Sequence, residues 1–206
     1  MWWLIAGVLA LGAGLSGPVM SNVEQPQYHV VEQHGDIELR DYPPMIVAET
    51  EVPGTRARAI DAGFRAIADY IFGDNLAAQK VPMTAPVTQQ ASATIAMTAP
   101  VTQQGDGDRW QVRFIMPASY TLATLPKPKN PAVILRELAG KRQAAIRFSG
   151  LAGDDSLRRH TAELRAFLAS RRIAAIGPPS YAFYNPPWTL PFLRRNEVLL
   201  EIGAHP

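Results

Sequence analysis

The sequence predicts an antiparallel α+β domain built from two similar halves, each contributing one helix and about four strands. Three observations carry this reading. The hydrophobic period runs strands, helix, strands, and then the same order again. Many of the connections between strand-like runs are too short for parallel crossovers. The octet Met-Thr-Ala-Pro-Val-Thr-Gln-Gln stands twice, at Met83–Gln90 and Met97–Gln104, fourteen residues apart. Chance repetition of that length is negligible, and the two copies read as arms of a hairpin or meander. Proline cannot donate to a ladder, which confines Pro86 and Pro100 to edges, bulges or strand ends.

Tyr28–Gln33 and Ile37–Tyr42 flank His34-Gly35-Asp36 as a hairpin. Met45–Val52, bounded by Pro43-Pro44 and Pro53-Gly54, is a third strand. Over Thr55–Phe72 the period changes. Ile60, Phe64, Ile67 and Ile71 fall on one helical stripe, while Asp61–Arg65 and Arg65–Asp69 stand at i,i+4 on the other side. Gly73 ends this helix.

After the octets, Trp110–Met116 alternates as a half-buried strand, and Val133–Leu138 and Ala144–Phe148 are strand-like. Asp154 and Asp155 supply N-cap chemistry for a second helix over Ser156–Arg172, with Leu157, Thr161, Leu164 and Leu168 as its buried stripe. Gly177-Pro178-Pro179 is expected to end it, and Tyr181–Tyr184 and Glu197–Ile202 are the last strands. Sheets curving toward a barrel would remove the exposed edges.

None of the first 21 residues carries a charged side chain, and Trp2–Leu15 is a continuous apolar and glycine run. Residues 1–21 read as a cleavable export signal or an N-terminal membrane anchor. Residues 22–206 are then one domain outside the cytoplasm, periplasmic or held at the membrane. The chain has no cysteine. Disulfides, lipoprotein processing and thioether attachment of haem are excluded, so the core alone must hold the fold. The net charge of +2 is spread over interspersed acids and arginines, which excludes a nucleic-acid surface.

The most unusual loop runs from Tyr184 to Glu197. Three prolines stiffen it around Trp188 and Phe192, and Arg194-Arg195 follow. An aromatic plane beside guanidinium groups suits a flat apolar ligand with carboxylates. His29, His34, His160 and His205 show no metal-ligand spacing. No nucleophile elbow, phosphate loop or dinucleotide fingerprint is present. Glu32, Glu38, Glu49 and Glu201 lie in strand-like segments. The alternative function is accordingly a small-molecule hydrolase or isomerase that uses one cavity carboxylate with Tyr184.

Tyr28-x-Val30, Gly35-Asp36-Ile37-Glu38-x-Arg40-x-Tyr42, Gly63-Phe64-Arg65, Tyr70-Ile71-Phe72-Gly73, the doubled Met-Thr-Ala-Pro-Val, Phe148-Ser-Gly150, Tyr184-Asn-Pro-Pro-Trp188 and Arg194-Arg195-Asn196-Glu197 together resemble the SOUL haem-binding protein family. The resemblance runs from Tyr28 to Ile202. It implies a distorted antiparallel β-barrel of about eight strands with two helices in two pseudo-symmetric halves, a GyrI-like architecture. It also implies non-covalent binding of haem or a related tetrapyrrole. The implied groove lies between the first helix, at Asp61, Phe64 and Arg65, and the last loop, at Trp188, Thr189, Phe192 and Arg194. Two departures stand out. Vertebrate relatives carry a basic residue near the position of Thr189, and no histidine of this chain falls in the groove to serve as an axial ligand.

Overall fold

A computed structural model describes residues 23–77 and 92–203. The leader and the first octet lie outside the described residues. The first hairpin pairs β1 (His29–His34) with β2 (Ile37–Tyr42), turning at Gly35 with φ +58°. β3 (Met45–Pro53) leads into α1 (Arg56–Ile71). A two-residue strand, β4 (Asn75–Leu76), pairs with β7 (Lys127–Pro128) as a small ribbon absent from the sequence reading. In the second octet, Thr98 bridges to Glu24, the Ala99–Pro100 peptide is cis, and β5 (Val101–Asp106) begins just after the proline. Pro100 therefore sits at a strand end, where its missing N–H removes nothing from the ladder.

The remaining elements are β6 (Arg109–Ile115), β8 (Ile134–Leu138), β9 (Lys141–Phe148), α2 (Asp154–Ser170), β10 (Ala175–Phe183) and β11 (Asn196–Ile202). Nine strands form one antiparallel sheet in the order β1-β2-β9-β11-β10-β5-β6-β3-β8. No pairing joins β1 to β8 among the described residues, so the sheet is open where a closed barrel of about eight strands was expected. The edge strand β1 carries a bulge between Val30 and Glu32, which disrupts the template an edge offers to another chain.

The helices cover different parts of the sheet. α1 packs on β3 and β6 around Ile67, Ile71, Val112 and Phe114. α2 packs on β9, β10 and β11 around Leu157, Leu164, Leu168, Ile146 and Leu200. Opposite residues of β2, β9, β10 and β11, among them Tyr42, Ala145, Ala182 and Leu199, form a third cluster that Val23 and Tyr28 of the N-terminal segment cover.

Four local expectations are corrected. α1 buries Ala59, Gly63, Ile67, Tyr70 and Ile71, so Ile60 and Phe64 stand at the margin of the stripe. Small residues decide this. A Cβ on Gly63 would lie 2.6 Å from the Val112 side chain, so the helix presses its smallest face onto β6. The Asp61–Arg65 and Arg65–Asp69 pairs do not form. At α2 the N-cap is Gly153, and Asp154 and Asp155 occupy the first turn, where their charge favours the helix dipole. Gly177-Pro178-Pro179 does not end α2, which stops at a turn where Arg172 takes φ +59°. That triplet forms an irregularity inside β10, between Ile176 and Ser180, where prolines need donate nothing.

The Gly63 contact leads to a direct expectation. Gly63→Ala should lower the urea unfolding free energy by about 1–3 kcal/mol despite alanine's higher helix propensity, through overpacking against Val112. A stabilised variant would mean that the α1–β6 approach is looser than described.

Candidate functional site

The loop between β10 and β11 is closed at its neck by two bonds. Tyr184 N–H donates to the Arg195 carbonyl at 3.2 Å, and Arg195 N–H donates to Asn185 Oδ1 at 2.7 Å. Within the loop, Thr189 N–H bonds the Pro186 carbonyl, and Pro191–Leu193 form a 3₁₀ turn. Arg194 clamps the excursion from inside, donating from Nε to the Thr189 carbonyl at 2.7 Å and from Nη2 to the Pro187 carbonyl. The predicted propionate partner therefore spends two of its donor nitrogens on its own loop.

This bracing presents large apolar side chains to solvent. Trp188 is 82% exposed, Phe192 69%, Leu193 63% and Leu190 56%. Leu151 is also exposed, and its neighbour Gly150 donates its N–H to the Pro191 carbonyl at 2.9 Å. Single exposed apolar residues are ordinary, but five on one short loop and its support form a patch of the kind that marks a binding surface.

The helix residues of the expected groove lie on the outer side of α1. Asp61 and Arg65 are exposed, and Arg65 makes no ion pair among the described residues. Phe64 is 38% exposed with its ring centroid 5.3 Å from that of Phe114. Loop and helix are linked indirectly. Arg56, at the start of α1, bonds Asp154 at 2.5 Å and the Ala152 carbonyl at 3.3 Å, in the same linker whose Gly150 bonds Pro191. No hydrogen bond joins Asp61, Phe64 or Arg65 to Trp188, Thr189, Phe192 or Arg194.

The structure assembles a second constellation that the sequence reading did not assign. Glu197 of β11 is fully buried, and its carboxylate accepts bonds from three side chains. Arg40 of β2 donates from Nη1 to Oε2 at 2.8 Å and from Nη2 to Oε1 at 3.0 Å. Arg195 donates to Oε1 from Nε at 3.0 Å and from Nη2 at 2.7 Å, and Tyr184 donates its hydroxyl to Oε2 at 2.8 Å. Arg40 also bonds Glu38 at 2.7 Å and Tyr42 at 3.1 Å and lies over the Tyr28 ring.

Burial by itself would raise Glu197, but the bonds and charges of Arg40 and Arg195 outweigh it and hold the carboxyl below its ordinary value. Burial first, and then Glu197, push the Tyr184 phenol far up, while Tyr42 rises to about 12, chiefly through burial. A strand glutamate and Tyr184 thus converge, as the hydrolase alternative required. Yet the carboxylate has five donors on two oxygens and no lone pair left to abstract a proton, so this pair is not a general base.

Of the described histidines, His34 bonds Glu32, the His160 ring stacks on Phe148 at 3.9 Å, and His29 is exposed on the edge strand β1. Among the described residues, no cluster of His, Asp or Glu could hold a metal ion.

An antiparallel nine-stranded sheet packed by two helices, with an apolar loop clamped before its last strand, defines an α+β domain. The chain belongs to the SOUL heme-binding protein family, whose model matches residues 23–201. Among curated proteins, no sequence matches it. Solved structures share the fold at low identity. The C-terminal domain of EcmrR is 11% identical, with a TM-score of 0.54, covering 85% of this chain and 98% of that one. A hydrolase encoded by lin2189 from Listeria innocua is 14% identical, with a TM-score of 0.55, covering 82% and 92%. An uncharacterized conserved protein from Listeria innocua is 13% identical, with a TM-score of 0.53, covering 89% and 94%. At such identities the likeness is one of fold alone.

The buried carboxylate sets an acid limit on stability. Because its folded pKa is depressed, its contribution is present above the ordinary value of 4.5 and is lost as pH falls through the folded value. Glu197→Gln leaves two arginines without their charge partner and should cost about 3–5 kcal/mol in urea unfolding near neutral pH. The gap to the unsubstituted protein should shrink below about pH 4. A gap independent of pH would mean that the carboxylate's charge contributes nothing.

Proposed function

We propose that this chain binds haem or a related tetrapyrrole non-covalently and buffers or delivers it outside the cytoplasm. Family membership supports the ligand class. The observation that carries the reading is the braced apolar shelf of Trp188, Leu190, Phe192 and Leu193. Covering these side chains with a macrocycle removes apolar surface from water, at about 25 cal/mol per Å². Because the loop is already held, little ordering is lost on binding.

The residues present fit a porphyrin's periphery better than its iron. Arg65 has a guanidinium available for a propionate, and Arg194 retains Nη1. Asp61, four residues before Arg65, would repel a second carboxylate and so favour one orientation. No described histidine stands on the shelf, and the proposed binding rests on apolar contact and propionate pairing.

We also read the domain as two related halves, which is what the family resemblance implies. The pairing order supports this, since β2-β9-β11-β10 is mirrored by β8-β3-β6-β5 about the β10·β5 seam. Each half places its helix after the second strand of that order. Export rests on the apolar run of residues 2–20, which lies outside the described residues. No helix among the described residues is long and apolar enough to cross a membrane.

Haemin added to the full chain should give a saturable Soret shift larger than that of a bulk-protein control. Trp188→Ala with Phe192→Ala should weaken it at least about tenfold while leaving the melting temperature within a degree or two, since both side chains are exposed. Arg65→Glu should weaken it by a few fold, and more at low salt. Equal affinity in the double variant places the site elsewhere, and a shift no larger than the control's removes the tetrapyrrole reading. For export, fractionation of cells making the full chain should recover it outside the cytoplasm, and recovery in the cytosol overturns that part.

A further inference from the structure

We propose that the loop between β10 and β11 docks on a lipid bilayer, its tip lying at the boundary between headgroups and acyl chains. The inference uses the side chains of the tetrapyrrole shelf but does not rest on that reading, because a bilayer covers them with no porphyrin present.

The tip is built for a medium poorer in hydrogen bonds than water. From Asn185 to Leu193 the chain carries no charged side chain. Pro186, Pro187 and Pro191 have no N–H to leave unpaired. The carbonyls of Pro186, Pro187, Thr189, Leu190 and Pro191 each accept a hydrogen bond from the loop or its support. An unpaired backbone group costs far more in lipid than in water, and these five acceptors are paired before any contact is made.

The side chains match the same boundary. Trp188, Leu190, Phe192 and Leu193 are all exposed. Tryptophan settles at membrane interfaces, while leucine and phenylalanine enter the acyl region beneath it. Leu151 widens the patch. Arg194 stands at its base, where Nη1, the guanidinium nitrogen not bonded within the loop, reaches headgroup phosphates.

The N-terminal segment fixes the partner. Val23 packs on the cluster that contains Tyr184, at the neck of the loop, and Gln25 Oε1 accepts from Arg195 at 3.2 Å. Only Ser21 and Asn22 separate Val23 from the uncharged apolar run that ends at Met20. Three residues of extended chain reach at most about 11 Å, so an anchor made by that run holds the neck of the loop against the membrane surface. Anchor and shelf are thus joined to the domain at one place, and one bilayer accommodates both.

The chain has no cysteine, so a single introduced cysteine carries a spin label at a chosen site. The test labels the full chain at Leu190→Cys and, as a control, at Ile176→Cys. Ile176 is exposed toward the other end of β10, about 20 Å from the loop along the strand. Both chains are mixed with porphyrin-free phosphatidylcholine vesicles, and collision with oxygen and with a water-soluble nickel chelate reports depth. The Leu190→Cys label should be shielded from the chelate at least about fivefold relative to the Ile176→Cys label, and be more open to oxygen. The shielding should survive high salt, because apolar contact carries it. Adding Trp188→Ser and Phe192→Ser should return the Leu190→Cys label to water, even where the leader still holds the chain on the vesicle. The melting temperature should stay within a degree or two, since both side chains are exposed. Equal accessibility of the two labels, or shielding unchanged by the double substitution, overturns the proposal. Shielding of the Leu190→Cys label without vesicles also overturns it, and puts the leader or a second copy on the shelf instead. Haemin plays no part, so this measurement and the Soret titration can fail independently.

Discussion

One carboxylate holds four parts of the molecule in register. Glu197 stands on β11, and the two guanidinium groups that surround it arrive from β2, across β9, and from the neck of the last loop. Arg40 reaches over β9 on the face that presents Ala145, where a larger side chain would compete for the same space. Arg195 continues outward to Tyr28 and Gln25 of the N-terminal segment. With Glu38 included, two positive and two negative charges are gathered, so little net charge is left uncompensated by the burial. Such an arrangement is weak as a source of stability in comparison with an apolar core, and strong as a device that penalises every misalignment of its parts. It explains how loop, sheet and N-terminal segment share one geometry.

The same economy separates the chemistry of the two surfaces. Above the neck, Arg194 is turned inward onto its loop carbonyls, which stiffens the loop and leaves Trp188 and Phe192 outside. Below it, the N-terminal segment lies over the sheet's second face.

Much of the architecture was legible from spacing. The hairpin at Gly35, the alternation of Trp110, Val112 and Phe114, and the leucine stripe of α2 follow directly from period, because each depends on neighbours a few residues away. The rotation of α1 was not legible. Hydrophobicity favoured Ile60 and Phe64, whereas Gly63 let the backbone approach Val112, and close packing outweighed side-chain greasiness. Gly177-Pro178-Pro179 was similarly ambiguous, since the signal that stops a helix also serves for an irregularity within a strand.

The seven expected site residues came from the family resemblance, and the structure leaves Trp188 and Phe192 exposed on the braced loop. The Arg40–Glu197 pair could not be found that way. Each residue looks like the polar position of an alternating strand, and only the order β2-β9-β11 brings them together and covers them. Sequence alone determined the element types, the absence of disulfides, the family and the apolar character of the last loop, because these are local or compositional properties. Tertiary structure decided which charges are buried, which arginine is spent on its own loop and where the clefts open. Those depend on contacts between residues as far apart as Arg40 and Glu197, for which period and spacing carry no information.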